Sequence, residues 1–505
     1  MSLTQTLLSF PPEQQDLSDA EYDSKIRAFR ATLTKLAPSS LVSGSVDPDG
    51  DGKLLHTLDP AKHSLAYLFV LLAYSRTAQV PGKLHTPSVF RPGELVWTKS
   101  LEFLEVFDPI QIRYVGQEYT NLIEIIVTAA QSVSKPILAI HPLKTSILRL
   151  DPASCTLTTT HVSFLRLCLH AKAYRSALPV LTKPICHIPA ASDKIYLQRA
   201  QIYTCDKAQS SLTFITQASG LAGKITSRTY LEYFLYGAMI FMARKEWDDA
   251  LRFLRIVVAA PAVNTVSKIM VEGYKKWILV SLIANGKCAR LPLTTSGIAK
   301  AQYGGLARPY EAVASIFTAG TLERLKQEIK VGQKFWQLDN NTGLVLQLVD
   351  AHKLFSVLKL EKLFSSISIP EVARQLYAED NAEPNMEEFI ASLIATGKLR
   401  ARLSQPTDTS APTILRFSQD DDNGRLDSSA EARLWADLVK QKSNFQLLTE
   451  NAAAMDLKFE LGKDYIEVLR RTQRRNERGS VDSGSKHNQN FGRDFDYDED
   501  LMSST

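Results

Sequence analysis

The sequence predicts a mainly all-α protein with more than one domain, and three patterns lead to this prediction. Apolar residues recur at helical spacing from residue 10 to about residue 340, in segments separated by short Gly, Pro and Asn breaks. The segment 398–404 alternates apolar and basic residues as a strand does, and 413–417 can pair with it. A 4-3 alternation of apolar residues then runs from residue 431 to about residue 471.

Residues 1–230 are predicted to form a solenoid of helical hairpins, which continues into a helical segment at 231–345. In this second segment, five residues approximate the alternation of aromatic and small residues in tetratricopeptide repeats. They are Phe234, Ala238, Phe241, Ala250 and Leu254. The segment 161–181 repeats the pattern, and Ala177 precedes its counterpart Ala250 by 73 residues, close to two periods of about 34 residues. Such hairpins bury their apolar faces only by stacking on one another, which predicts a TPR-like solenoid.

Residues 346–418 are predicted to form a winged helix, in which two helices precede a small β-wing. Pro370 occupies a first helical position, where its missing N–H costs no hydrogen bond. The second helix carries apolar residues on one face from Met386 onward, and Gly397 provides its C-terminal cap. The two short strand segments that follow complete the wing.

The second helix of this winged helix lacks the charge that DNA recognition requires. Its first turn carries Glu387 and Glu388, and no Lys or Arg precedes Lys398. A recognition helix normally presents Arg, Lys, Asn or Gln to the base edges of a polyanion. On the wing, Arg400 and Arg402 form only a small basic patch. We therefore predict a winged helix that packs against protein, and binding of nucleic acid is the alternative.

A long C-terminal helix is predicted over residues 430–472, after an acidic linker at 419–429. Its apolar residues follow a heptad repeat, and the resulting stripe is narrow and needs a partner helix. We call this stripe the heptad seam; its members are Leu434, Leu438, Gln441, Phe445, Leu448, Ala452, Met455, Phe459, Gly462, Ile466 and Leu469. The seam packs either on the winged helix of its own chain or in a bundle with helices of other chains. Residues 473–505 are predicted from their composition to be a disordered tail.

No stretch of the sequence carries a complete catalytic, metal or cofactor motif. The segment 47–58 resembles a calcium loop, but its twelfth position is Leu58, where a bidentate Glu is needed. A phosphate-loop pattern at 218–225 fails because Lys224 is followed by Ile225 rather than Ser or Thr. The nine histidines and five cysteines form no zinc or nucleophile motif. We therefore expect no enzyme activity, no metal and no cofactor.

The composition is that of an ordinary soluble protein, with 45% hydrophobic and 22% charged residues. A net charge of +5 is small for 505 residues and does not by itself indicate a nucleic-acid partner. Five cysteines without a CxxC pair indicate a reducing compartment, and the N-terminus lacks the basic region of a secretory signal. The longest apolar run, 65–74, is half of the roughly 20 residues that a membrane helix needs. We expect the chain in the cytoplasm and nucleus.

A helical solenoid that leads into a winged helix and a long C-terminal helix resembles the PCI-domain family, with the PCI domain over residues 231–418. Within that family, four segments are similar to subunit three of the COP9 signalosome. These segments are 111–115, 165–181, 233–287 and 363–376. The match at 233–287 is the most specific. The likeness covers roughly residues 100–418.

The resemblance implies a non-catalytic scaffold in a complex that removes the ubiquitin-like modifier Nedd8 from cullins and so regulates cullin-RING ubiquitin ligases. It implies other PCI and MPN subunits as partners, and it places the catalytic zinc in an MPN-type subunit. In such complexes, winged helices associate edge to edge and C-terminal helices gather in a bundle. We predict edge contacts at Leu399, Arg400 and Leu403. We predict bundle contacts at Leu434, Leu438, Phe445, Leu448, Met455, Phe459, Ile466 and Leu469. The alternatives are a paralogous PCI scaffold of the 26S proteasome lid and a nucleic-acid-binding PCI protein.

Overall fold

The computed structural model describes residues 3–11, 18–43, 53–78, 88–189, 203–206, 210–262, 264–376, 386–405, 412–417 and 428–482. The acidic loop at 47–52, residues 419–427 of the acidic linker and residues 483–505 lie outside these ranges. Inside them, no helix combines the length and the hydropathy that crossing a membrane requires. The chain divides into two compact units, Met1–Ser192 with Tyr203–Thr449, and Asp193–Ile202 with Glu450–Thr505.

The described residues up to 361 are mainly helical. The helices are α1 (Leu3–Leu8), α2 (Asp19–Lys35), α3 (Pro38–Ser43), α4 (Lys53–Thr57), α5 (Ser64–Ala78), α6 (Leu95–Val106), α7 (Pro109–Ile112), α8 (Gly116–Ser132), α9 (Ile137–Leu150), α10 (Thr159–His170), α11 (Tyr174–Leu181), α12 (Ser211–Phe214), α13 (Ser227–Ala243), α14 (Trp247–Val258), α15 (Lys268–Asn285), α16 (Gly297–Leu306), α17 (Arg308–Ala319), α18 (Leu322–Val331), α19 (Gln333–Leu338) and α20 (Thr342–Glu361). A 3-10 turn lies at Ser88–Phe90. Successive helices pack on one another, as α8 does on α9, α9 on α10, and α10 on α13. This sequential stacking confirms the predicted helical-repeat solenoid.

In the hairpin formed by α13 and α14, the residues of the repeat pattern form part of the hydrophobic core. All five residues of the predicted tetratricopeptide-like pattern are buried there. The two helices approach closely at Gly237, where an added Cβ would lie 2.6 Å from the Phe253 ring. No real Cβ tolerates such a distance, so any larger residue at this position would push the two helices apart. Helix α15 then packs on α14 and ends at Gly286, whose φ of +68° is the left-handed conformation of a helix cap.

The winged helix contains one strand that the sequence did not predict. Its elements are β1 (Ser366–Ser368), α21 (Ile369–Leu376), α22 (Met386–Ala395), β2 (Ala401–Ser404) and β3 (Ile414–Phe417). They form an antiparallel sheet in the order β1-β3-β2, in which Ile367 and Leu403 both lie opposite Leu415. The two predicted strands are confirmed as β2 and β3. The additional strand β1 has three residues, too few for its alternation to be distinguished from a loop before Pro370.

Helix α20 connects the solenoid to the winged helix because it belongs to both hydrophobic cores. Near its start, Val345 and Leu348 lie in the large core of the helical segment. Near its end, Val357 and Leu360 lie in the separate core of the winged helix. Because one helix is packed into both cores, α20 fixes the winged helix relative to the last solenoid hairpins.

A buried polar network holds the start of α20. The Asn341 side chain is fully buried, donates to the Tyr310 hydroxyl at 2.9 Å and accepts from the Lys276 ammonium at 2.9 Å. The Asp339 carboxylate accepts from the Tyr310 hydroxyl at 2.8 Å and from Lys275 at 2.7 Å. Because each of these polar groups is paired, the junction is stabilised rather than penalised by its burial.

The C-terminal helical region consists of two helices, α23 (Ser428–Glu460) and α24 (Lys463–Asp482). The predicted single helix over residues 430–472 is therefore interrupted at 461–462, where glycine lowers helix propensity by about 1 kcal/mol relative to alanine. The second helix also continues to Asp482, beyond the predicted start of a disordered tail at residue 473. Its sequence there is rich in Arg, Gln and Glu, which are good helix formers.

A buried histidine stabilises the start of α10. The Nδ1 atom of His161 accepts from the Thr158 backbone N–H at 3.3 Å and from the Thr158 hydroxyl at 2.7 Å. The proton therefore resides on Nε2, which donates to the Ser154 hydroxyl at 3.0 Å. Burial lowers the pKa of His161 to about 4, because the imidazolium would lose its hydration.

This shifted pKa predicts an acid-dependent loss of stability. Between about pH 6.5 and 4 the unfolded chain binds a proton at His161 and the folded chain does not, so the free energy of unfolding falls as the pH decreases, by up to about 3 kcal/mol. Thermal midpoints measured at both ends of this window are expected to differ less in a His161→Gln variant than in the parent chain. The control is His170→Gln on the same helix, where the side chain is exposed; equal pH dependence in both variants would contradict the assignment.

Candidate protein-interaction site

Two surfaces of the described residues stand out as candidates for binding other proteins. The first is the outer edge of the winged-helix sheet, and the second is the exposed apolar stripe of α23. Among the described residues, no group of three or more His, Cys, Asp and Glu side chains is placed to hold a metal ion.

Strand β2 forms one edge of the winged-helix sheet, since β3 is its only partner among the described strands. Its outward backbone N–H and C=O groups can pair with a strand of another chain. Strand alternation sets which side chains face outward: Arg400 and Arg402 are exposed, whereas Leu403 packs partly on the core. The Leu399 side chain is only 2% exposed within that core. We therefore withdraw Leu399 as a predicted contact and keep the prediction for Arg400, for the half-buried Leu403 and for the backbone of the edge.

The outer face of the same sheet carries a second basic residue pair that the sequence analysis missed. Arg402 on β2 lies directly opposite Arg416 on β3, and both side chains are exposed. Like charges directly opposite each other in an antiparallel pair are destabilising, with Cβ atoms about 5 Å apart. The alternation in the sequence shows on which face of the sheet Arg416 lies, but not which residue lies opposite it. Only the strand register identifies this pair. An acidic surface placed against this face would relieve the repulsion.

The electrostatics of α22 agree with the charge argument made from the sequence. The exposed carboxylates of Glu387 and Glu388 form its first turn, and Glu387 also accepts from the Thr413 hydroxyl at 3.1 Å. Acidic side chains there interact favourably with the positive end of the helix dipole. The helix end that would enter a DNA groove is thus occupied by negative charge.

We therefore expect the full-length chain to show no binding of a DNA duplex beyond non-specific background at physiological salt. Anisotropy of a labelled duplex, titrated over salt concentration, measures this directly. The comparison variant is Arg400→Ala with Arg402→Ala, which removes the two arginines predicted from the sequence. A salt-dependent affinity that this double variant abolishes would revive a nucleic-acid role.

The heptad seam lies mostly on the surface of the described chain. Its exposed large side chains are Leu434, Leu438, Phe445, Leu448, Met455, Phe459 and Leu469, and Ile466 is half-buried. Gln441 is exposed within the stripe, and Gly462 lies at the interruption between the two helices. The positions in α23 thus share one helical face that water contacts in the single chain.

Other large apolar residues of α23 are exposed outside the heptad seam. Trp435, Val439 and Leu457 are large, apolar and exposed, but they do not lie together on one side of the seam. Trp435 lies beside the seam, whereas Leu457 lies two residues from both Met455 and Phe459 and therefore faces away from it. The seam itself is as narrow as the heptad pattern predicts.

Known proteins resemble this chain over nearly its whole length. A family model described as "COP9 signalosome complex subunit 3, N-terminal helical repeats" matches residues 47–299, and a PCI domain model matches residues 323–409. COP9 signalosome complex subunit 3 of Emericella nidulans is 34% identical over 499 residues, which cover 98% of this chain and 97% of that protein. The proteins of the same name from Neurospora crassa and Arabidopsis thaliana are each 25% identical, over 91% and 89% of this chain and 90% and 89% of their own lengths.

Proposed function

The chain belongs to the COP9 signalosome subunit 3 family, and we propose that it acts as a non-catalytic scaffold subunit of that complex. In this proposal the assembled complex removes Nedd8 from cullins and so regulates cullin-RING ubiquitin ligases. The zinc chemistry would belong to an MPN-type subunit, and this chain would hold other PCI and MPN subunits in position.

The exposed stripe of α23 is the observation that carries the assembly role. Six of its large seam residues remain in contact with water in the single chain, although burying each would contribute about 1.5–3 kcal/mol. Contiguous apolar surfaces of this kind mark protein interfaces in soluble proteins. We infer that helices of other subunits cover this stripe in a bundle.

The winged helix supports a second contact. Strand β2 has one edge to which no other described strand is paired, and the facing Arg402 and Arg416 favour a neighbour with acidic groups beside that edge. We propose that a sister subunit aligns with this edge, through its backbone and through contacts to Arg400. In this proposal the PCI domain begins at residue 231 and its winged helix at residue 346, and the winged helix is the part that docks.

Affinity purification of the tagged full-length chain, with mass spectrometry of its stoichiometric partners, tests the function. We expect an MPN-type metalloprotease, other PCI subunits and cullins. Loss of the chain from cells is expected to raise the Nedd8-modified fraction of cullins, measured by immunoblot. Recovery of the chain without an MPN-type partner would contradict the proposal.

The proteasome lid is the alternative that this experiment separates most clearly. The relatives that match most of this chain carry the name of the signalosome subunit, which favours the first assignment. Stoichiometric recovery of proteasome base subunits, in place of cullins, would transfer the scaffold role to the lid.

A further inference from the structure

An exposed apolar ridge follows the last solenoid helices and is independent of the heptad seam. Helices α18 and α19 run nearly without interruption, since the Gly332 N–H still donates to the Glu328 carbonyl at 2.9 Å. Three side chains on them are largely exposed: Val331 (78%), Phe335 (55%) and Leu338 (82%). Their spacing of four and three residues places them on one face over about 10 Å. We call these three residues the apolar ridge.

The apolar ridge stands on a rigid support. Trp336, between Phe335 and Leu338 in sequence, points inward and is only 2% exposed. Its indole N–H donates to the Ile329 carbonyl at 3.0 Å, and its ring meets the Tyr310 ring edge-on at 4.8 Å. Because the inward residue is fixed by packing and a hydrogen bond, the outward residues need little ordering when a ligand binds. Such preorganisation lowers the entropic cost of docking.

The charges beside the apolar ridge are mainly positive. Lys330 and Lys334 are exposed and four residues apart, so they run along one side of the ridge. Arg324 is also exposed and lies two turns before Val331 on the same face. Of the nearby carboxylates, Asp339 already forms an ion pair with Lys275 at 2.7 Å. Glu323 and Glu328 are half-buried, and Glu328 lies two turns before Phe335, on the flank of the ridge opposite the lysines.

We propose that the apolar ridge docks an acidic amphipathic helix of another protein. A ridge of side chains at four- and three-residue spacing fits the groove between the side-chain rows of a second helix. Apolar residues of that helix would cover Phe335 and Leu338, and its Asp and Glu side chains would lie beside Lys330 and Lys334. A second copy of this chain is disfavoured, because a two-fold contact through this face would bring these lysines towards their own symmetry mates.

The test uses the full-length chain and two synthetic helical peptides as probes. Both peptides carry the same apolar stripe; Glu flanks the stripe in one and Lys in the other. Fluorescence anisotropy is expected to show binding of the Glu peptide and at least about tenfold weaker binding of the Lys peptide. Replacing Phe335 and Leu338 by Ser should weaken the Glu peptide by at least about tenfold.

Charge reversal provides the decisive comparison. The double variant Lys330→Glu and Lys334→Glu is expected to reverse the preference, so that the Lys peptide binds more tightly. The control variant, Lys135→Glu with Lys300→Glu, reverses two exposed lysines elsewhere and should leave the preference unchanged. Unchanged preference after reversal at the ridge would overturn the proposal.

Other occupants would also be recognised. Self-association of the parent chain in sedimentation that the Ser variant abolishes would assign the ridge to a second copy instead. Binding to phosphatidylserine vesicles that depends on Phe335 and Leu338 would assign it to a membrane surface, and either result would overturn the proposal. The inference does not rest on the proposed function. The peptide assays measure binding to the chain alone, whereas the scaffold role is tested by the partners that co-purify with it.

Discussion

A chain that carries Leu438→Asp, Phe445→Asp and Leu448→Asp is expected to stay folded and to be lost from the assembled complex. All three side chains are exposed in the single chain, so their replacement removes no core contact. In the proposed bundle each would be buried, and an unpaired carboxylate there costs several kcal/mol in addition to the lost apolar contact. The three changes together should lower the association constant by more than about a hundredfold.

Stoichiometry of co-purifying subunits measures this effect, and circular dichroism with a thermal midpoint reports the fold. The matched control is Ala432→Asp, Ala436→Asp and Ser443→Asp. These residues are four and seven residues apart on a face of α23 turned away from the seam, and they are also exposed. The control carries the same added charge and a similar loss of helix propensity, so it should assemble normally. If the seam variant co-purifies at parental stoichiometry, the bundle role of this stripe is wrong.

Periodicity predicted the parts of the fold in which one face of a helix is buried over several turns. The hairpin of α13 and α14 is such a case, since Phe234, Phe241 and Leu254 repeat at the spacing that burial requires. The charge of α22 was equally readable, because Glu387 and Glu388 need no tertiary context. The heptad pattern likewise located the exposed stripe on α23.

Features that depend on how distant segments pair or pack could not be predicted from the sequence. Strand β1 exists because Ile367 lies opposite Leu415, a partner almost fifty residues later in the chain. Leu399 was predicted as a contact at the outward edge, but alternation along the wing places its side chain in the core, where only 2% of it is exposed. The pairing of Arg402 with Arg416 and the inward turn of Trp336 arise in the same way. In each case, neighbouring residues with similar local patterns acquire opposite roles through packing.

Trp336 and Phe335 show this contrast one residue apart, and their substitution is expected to separate stability from binding. Trp336→Ala removes a fully packed side chain, its contact with Tyr310 and its hydrogen bond to the Ile329 carbonyl. Large-to-small changes of this kind cost about 3–5 kcal/mol. The loss should spread to the winged helix, because the Tyr310 hydroxyl also pairs with Asn341 at the start of α20.

Phe335→Ala is the matched control, since more than half of that side chain already contacts water. Its free energy of unfolding should change by no more than about 0.5 kcal/mol, which is typical of surface positions. Denaturant midpoints of the two variants measure the difference, and proteolysis of the winged helix shows whether α20 has loosened. Affinity for the Glu-flanked peptide should rank the two variants the other way round. Phe335→Ala should weaken binding of the peptide, whereas the native fraction of Trp336→Ala should still bind it. Equal midpoints for the two variants would mean that Trp336 does not support α20, and the rigid support assigned to the apolar ridge would then be wrong.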